Sequence, residues 1–110
     1  MIAETVLQRT VAGVTVDVNG EGFFLHPEQW SEAMVPELAA AEGIATLTER
    51  HWQLIRLMRA AYERDGTGPP VRALSKTSGV PIKDLYELFP KGPAKVAARI
   101  AGIPKPRGCI

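Results

Sequence analysis

The chain has 110 residues, a single cysteine and a formal net charge of +1. This length fits one domain, large enough to bury about two thirds of its unfolded surface without help from metals or disulfides. Hydrophobic residues make up 45% and charged residues 23%, the proportions of a soluble globular protein. No apolar run approaches the roughly 18 residues of a membrane span, and Met1-Ile2-Ala3-Glu4 does not read as the start of a signal peptide. The expectation is a cytoplasmic protein with no membrane partner. Cys109, His26 and His51 are too sparse for a structural zinc site. Phosphate-loop, dinucleotide and His-Glu-x-x-His motifs are missing from the sequence, so no metal and no cofactor are expected.

Charge is unevenly spread. Residues 1–65 carry −5 and residues 66–110 carry +6, with Asp84 and Glu87 the acidic residues of the second part. A basic C-terminal half suits an anionic partner, either nucleic acid or an acidic protein surface; the alternative is an internal dipole.

In chain order, Thr5-Val6-Leu7 reads as a weak strand, and Val14, Val16 and Val18 alternate with polar residues as a second. Asn19-Gly20 is a turn dipeptide, and Phe23-Phe24-Leu25 a short third strand, giving a small antiparallel meander. Ser31 can cap a helix with Met34, Val35, Leu38 and Ala41 on one face, which Pro36 kinks or starts and Gly43 ends. Thr48 caps the clearest helix, Glu49 to Arg64. Its apolar face carries Trp52, Ile55, Met58, Ala61 and Tyr62, while Gln53, Arg56, Arg59 and Glu63 lie opposite. His51, in its first turn, reads as structural. Asp65 to Pro70 is a loop.

Seven of the nine prolines lie at position 69 or later, where they punctuate three short helices. These are Pro70 to Ser78, with Val71 and Leu74 inward; Pro81 to Phe89, with Ile82, Leu85 and Tyr86 inward; and Pro93 to Ala101, with Val96 and Ile100 inward. The predicted fold class is therefore mainly α (α+β): a small N-terminal hairpin or meander, about five helices and an extended C-terminal arm. The domain reading is a globular unit over 1–102 and a flexible arm over 103–110. Pro104 and Pro106 block helix in the arm, and Gly102 and Gly108 act as pivots.

Cys109 near the end of this arm argues against core packing, since structural cysteines are usually buried. Lys105 and Arg107 favour its thiolate, and a chain-terminal carboxylate opposes them. The bland alternative is a tail whose cysteine does nothing. Residues 71–89 have the spacing of a helix-turn-helix and resemble the DNA-reading unit of TetR-type repressors. Yet Asp84 and Glu87 would face phosphates and no arginine is placed to read guanine. A helical corner that packs the core is the competing reading.

Larger landmarks run from Glu21-Gly22-Phe23 and Trp30 through Glu42-Gly43-Ile44, Leu47-Thr48, His51-Trp52 and Arg59 to Pro70-Val71-Arg72, Lys76 and Leu85-Tyr86. They close with Leu88-Phe89-Pro90-Lys91-Gly92-Pro93-Ala94-Lys95 and with Ala101-Gly102-Ile103-Pro104-Lys105-Pro106-Arg107-Gly108-Cys109-Ile110. Together these residues resemble the DsrC/TusE family of small sulfur-relay proteins. The resemblance implies a mostly helical fold with a mobile arm, and a persulfide carried on Cys109. It implies docking through Pro104, Lys105, Pro106, Arg107 and Gly108, and a TusBCD/DsrEFH-like donor complex. It also implies a tRNA-thiolating enzyme or a sulfite-reductase-like protein as acceptor. Arg72 and Lys76 are the candidate cations for holding a docked tail or stabilising anionic sulfur. Their alternative is a solvated helix face. The sequence departs from the family twice. DsrC proper has a second cysteine where Ala98 stands here, so a two-cysteine redox cycle within this chain is excluded. The turn Ser78-Gly79-Val80-Pro81 is also shorter than in many members, which creates the helix-turn-helix likeness. The expected function is a sulfur carrier or sulfurtransferase. The alternatives are a DNA-binding regulator using 71–89 and a noncatalytic adaptor.

Overall fold

Alternation of valines sets the N-terminal element. The computed structural model describes residues 5–107, and in it β1 (Leu7–Val11) pairs antiparallel with β2 (Val14–Val18). Leu7 lies opposite Val18, Arg9 opposite Val16 and Val11 opposite Val14. Directly opposed residues share a face, and Val11, Val16 and Val18 on that face are buried. The turn is Ala12-Gly13, with φ of +49° and +80°, the two-residue geometry whose twist suits a hairpin.

This differs from the meander expected from the sequence. The first strand begins at Leu7 rather than Thr5, and Asn19-Gly20 is not a hairpin turn. Phe24 makes only an isolated bridge to Val18. The reason is Asn19, whose Oδ1 accepts the N–H groups of Glu21 and Phe23, both at 3.0 Å. A side chain that occupies these donors competes with a ladder.

Two 3-10 turns, Pro27–Gln29 and Glu32–Met34, lead into α1 (Val35–Ala41). Pro36 lies in the first turn of α1, where its missing N–H costs nothing, so the proline marks a start and not a kink. Ser31 makes no side-chain cap. α2 (Glu49–Asp65) opens with a capping box. Thr48 Oγ1 accepts the His51 N–H, and His51 Nδ1 accepts the Thr48 N–H at 3.0 Å. The buried His51 ring then offers Nε2–H to the Leu88 carbonyl at 2.9 Å and stands edge-on to Phe89. Its structural reading holds.

α3 (Val71–Ser78) ends at Gly79, whose φ is +77°. α4 (Ile82–Leu88) and α5 (Pro93–Ile100) follow. Two inward assignments on α4 are corrected. Ile82 and Tyr86 are 41% and 49% exposed, and only Leu85 is fully buried there. Seven residues give two turns, and α4 lies at the edge of the core with a single ridge inward.

α5 is the centre. Pro93, Ala94, Val96, Ala97, Ala98 and Ile100 are all buried, which leaves little of the helix for solvent. The alanines allow α2 to approach closely, and Leu54, Ile55 and Met58 fill the space between. Phe23, Phe24, Met34 and Phe89 close the remaining sides. A half-buried bidentate pair, Arg99 with Glu42 at 2.8 and 3.1 Å, ties α5 to the end of α1, and Arg99 lies over the Phe23 ring. The protein is mainly α with one small hairpin, as the sequence predicts. Among the described residues, no helix is long and apolar enough to cross a membrane.

Candidate functional site

The end of α5 is built to stop the helix and turn the chain. Gly102 has φ of +66°. The Ile103 N–H reaches the Ala98 carbonyl at 3.1 Å and the Gly102 N–H reaches the Arg99 carbonyl at 3.4 Å. These two bonds form a Schellman motif, which needs a left-handed residue and favours glycine there. The sequence reading of Gly102 as a pivot is therefore corrected: this glycine fixes the chain direction. A Cβ on it would overlap the Trp30 ring.

Two side chains reinforce the turn. Trp30 Nε1–H donates to the Ile100 carbonyl at 2.8 Å. Arg59, on α2, lies over the Trp30 ring at 4.1 Å and donates to the carbonyls of Ala101 at 2.8 Å, Gly102 at 3.5 Å and Pro27 at 3.3 Å. Burial pushes the Arg59 guanidinium below its ordinary pKa, and Glu63 and Tyr62 oppose that shift. The sequence placed Arg59 on the outer face of its helix, but the structure half-buries it. A cation on Trp, pointed at the negative end of a helix, recovers part of its desolvation cost through the ring and the carbonyls.

Beyond Gly102 the chain runs along the body. Ile103 is fully buried. Gly68, in the middle of the loop between α2 and α3, gives it room, since a Cβ there would come within 2.7 Å of Ile103 Cδ1 and 3.4 Å of Pro106 Cγ. Pro104 and Lys105 are half-buried, Pro106 is buried and Arg107 is exposed. Lys105 Nζ donates to both carboxylate oxygens of Glu21, at 3.2 and 3.3 Å, and the Arg107 N–H reaches Thr67 Oγ1 at 3.0 Å. Residues 103–107 are thus seated on the domain rather than free of it. The physical reason is that an isoleucine beside a bare-backbone glycine gains more from burial than an extended chain gains from freedom. The predicted Gly108 and Cys109 lie outside the described residues.

Next to this seat, α2, α3 and their connecting loop enclose a cavity of about 220 Å³, lined in part by Leu57, Ala61, Thr67, Gly68, Pro70 and Ala73. Arg72 and Lys76 project from the adjoining ridge of α3 and are exposed. Among the described residues they make no hydrogen bond or ion pair, and none joins them to 103–107. The structure brings Lys105 and Arg107 onto Glu21 and Thr67, and leaves Arg72 and Lys76 apart. Trp30, Arg59, Glu21, Thr67 and Gly68 hold the segment without having been assigned that work from sequence. The available signal was a helix-ending glycine followed by an apolar residue, a Schellman pattern.

With this geometry in view, the class of protein follows: a small helical domain that presents a seated C-terminal segment. The DsrC like protein family model matches residues 10–110. The chain belongs to the DsrC-like family. It is 45% identical over 105 residues to the sulfurtransferase TusE of Yersinia pseudotuberculosis, with 89% of this chain and 96% of that protein covered. It is 39% identical over 101 residues to the dissimilatory-type sulfite reductase subunit gamma of Nitratidesulfovibrio vulgaris, covering 92% and 96%. The solved structure of Allochromatium vinosum DsrC superposes with a TM-score of 0.83 at 36% identity, covering 96% of this chain and all of that one.

Proposed function

We propose that this protein is a sulfur-relay carrier, taking up sulfur as a persulfide on Cys109 and passing it to another protein. The observation that carries this reading is the extended similarity to a sulfurtransferase, in a family match that spans position 109. In the uptake step the Cys109 thiolate attacks the outer sulfur of a donor persulfide. A new S–S bond forms on Cys109, the donor's S–S bond breaks, and the donor sulfur leaves as a thiolate that takes up a proton. No net oxidation occurs, and the same exchange in reverse roles delivers the sulfur onward. Relatives named as sulfurtransferase and as a sulfite reductase subunit do not favour the DNA-binding alternative.

Within this reading the donor is a TusBCD/DsrEFH-like complex in the cytoplasm, and the acceptor a tRNA-thiolating or sulfite-reductase-like protein. Pro104, Lys105, Pro106, Arg107 and Gly108 contact these partners. Release of the Lys105–Glu21 and Arg107–Thr67 contacts lets the segment enter a partner site. Arg72 and Lys76, uncompensated beside the cavity, attract an acidic partner surface.

The test is intact mass after incubation with inorganic tetrasulfide. The wild type gains mass in increments of one sulfur atom, and Cys109→Ser gains none. A wild type that stays unmodified, or a serine variant that gains equally, refutes the proposal.

A further inference from the structure

Three successive carbonyls at the end of α5, those of Ile100, Ala101 and Gly102, each receive a side-chain donor from Trp30 or Arg59. The last carbonyls of any helix lack partners within it, and the Schellman bonds already serve those of Ala98 and Arg99. Gly102 is buried, so its carbonyl, part of the first peptide plane of the departing segment, needs a partner. Arg59 supplies it, and reaches Pro27 on the other side, so one guanidinium joins α2, the Pro27–Gln29 turn and the outgoing chain. We propose that Arg59, seated on Trp30, is a positioning residue: by holding the Ala101 and Gly102 carbonyls it sets the direction in which the chain leaves α5, and hence where Cys109 is presented to a partner.

The role of that presentation rests on the sulfur-carrier reading above; the positioning itself does not. Arg59 is assigned no part in bond making; its hydrogen bonds go to backbone carbonyls. Its leverage is geometric. Seven residue steps separate Gly102 from Cys109, at most about 24 Å. Once the Lys105–Glu21 and Arg107–Thr67 contacts release, a rotation of about 20° at the root displaces the far end of the chain by up to about 8 Å. Nη1 of the planar fork donates to the Ala101 and Gly102 carbonyls while Nη2 is tied to the Pro27 carbonyl, so the guanidinium plane is fixed against the body and resists such rotation, which a single ammonium cannot do.

The lone cysteine makes the test direct. A nitroxide is placed on Cys109 and a second on exposed Ala40, as Ala40→Cys, and the distance distribution is measured by pulsed electron resonance in the full chain. Arg59→Gln is expected to shift the mean by about 5 Å or more, or to double the width. Arg59→Lys recovers part of the native distribution, and Trp30→Phe, which keeps the platform but loses the indole N–H, falls between. Ile44→Ala serves as the control for simple destabilisation and leaves the distribution unchanged. An unaltered distribution in Arg59→Gln overturns the proposal, as does a wild-type distribution already as broad as that of the variant, or an equal change in Ile44→Ala. Tetrasulfide loading, read by mass on unlabelled Arg59→Gln, stays at the wild-type level because a small reagent needs no approach direction; a tenfold loss there would mean that Arg59 acts on the thiol itself and would equally overturn it. Absence of loading in the wild type would instead count against the sulfur-carrier reading alone.

Discussion

The two ends of the C-terminal segment are held by different physics. At the root, Gly102 and Ile103 are buried, the backbone closes a Schellman motif, and the half-buried Trp30 and Arg59 supply donors. At the far end, Lys105 meets Glu21 in an exposed ion pair and the Arg107 N–H meets a threonine hydroxyl. Apolar burial and interior hydrogen bonds cost several kcal/mol to break. An exposed ion pair is worth about 0–1 kcal/mol. One continuous segment is therefore divided into a fixed root and an end held by weaker polar contacts and the single buried ring of Pro106, and release is expected to begin at Arg107 and to stop short of Ile103.

The largest effect that would break this contrast belongs to Gly102→Ala. A positive φ and overlap with Trp30 leave no relaxed solution, and a loss of about 3 kcal/mol or more is expected by urea denaturation. A loss below about 1 kcal/mol would show the root to be looser than its packing implies. Ile103→Ala comes next, at about 2–4 kcal/mol on the same measurement, for a buried isoleucine reduced to a methyl group. Gly68→Ala is milder, because the added Cβ meets the far ends of Ile103 and Met58 side chains, which can turn. About 1 kcal/mol is expected, with faster amide exchange at Arg107 as the segment lifts.

Glu21→Gln sharpens the other half of the comparison. Stability should change by no more than about 0.5 kcal/mol, while amide exchange at Arg107 accelerates. Smallest is the exposed pair Glu32–Arg56, which makes no contact with the segment among the described residues. The Arg56 hydrogen bond holds the Glu32 carboxyl below its usual range. A depressed carboxylate stabilises the fold above its unfolded pKa and loses that contribution as pH falls through the folded one. The small stability difference between wild type and Glu32→Gln should therefore shrink on acidification, as seen in urea melts at neutral and acid pH.

Much of the scaffold was legible because its signals are local. Thr48 with the amphipathic run after it gives α2 its start, prolines at the first turns give α1 and α5, and Gly43, Gly66 and Gly79 give the stops. What failed was long-range. Arg59 falls on the polar side of a helical wheel, and only the placement of Trp30 and the end of α5 draws it inward. Gly102 between helix and prolines reads equally as a pivot or a terminator, and the choice depends on whether the next residue finds a buried seat. Gly68 and Thr67 provide that seat from 35 or more positions away, as the Arg107–Thr67 separation of 40 shows. Ile82 and Tyr86 failed in the opposite sense, since periodicity cannot tell that α4 lies at the rim of the core.

His51 has a consequence of its own. Its ring spans from the first turn of α2 to the last carbonyl of α4, 37 residues on. Fraying at one helix end therefore strips a bond from the other, so these two ends should open together as one cooperative unit, with matched protection factors at Thr48 and Phe89.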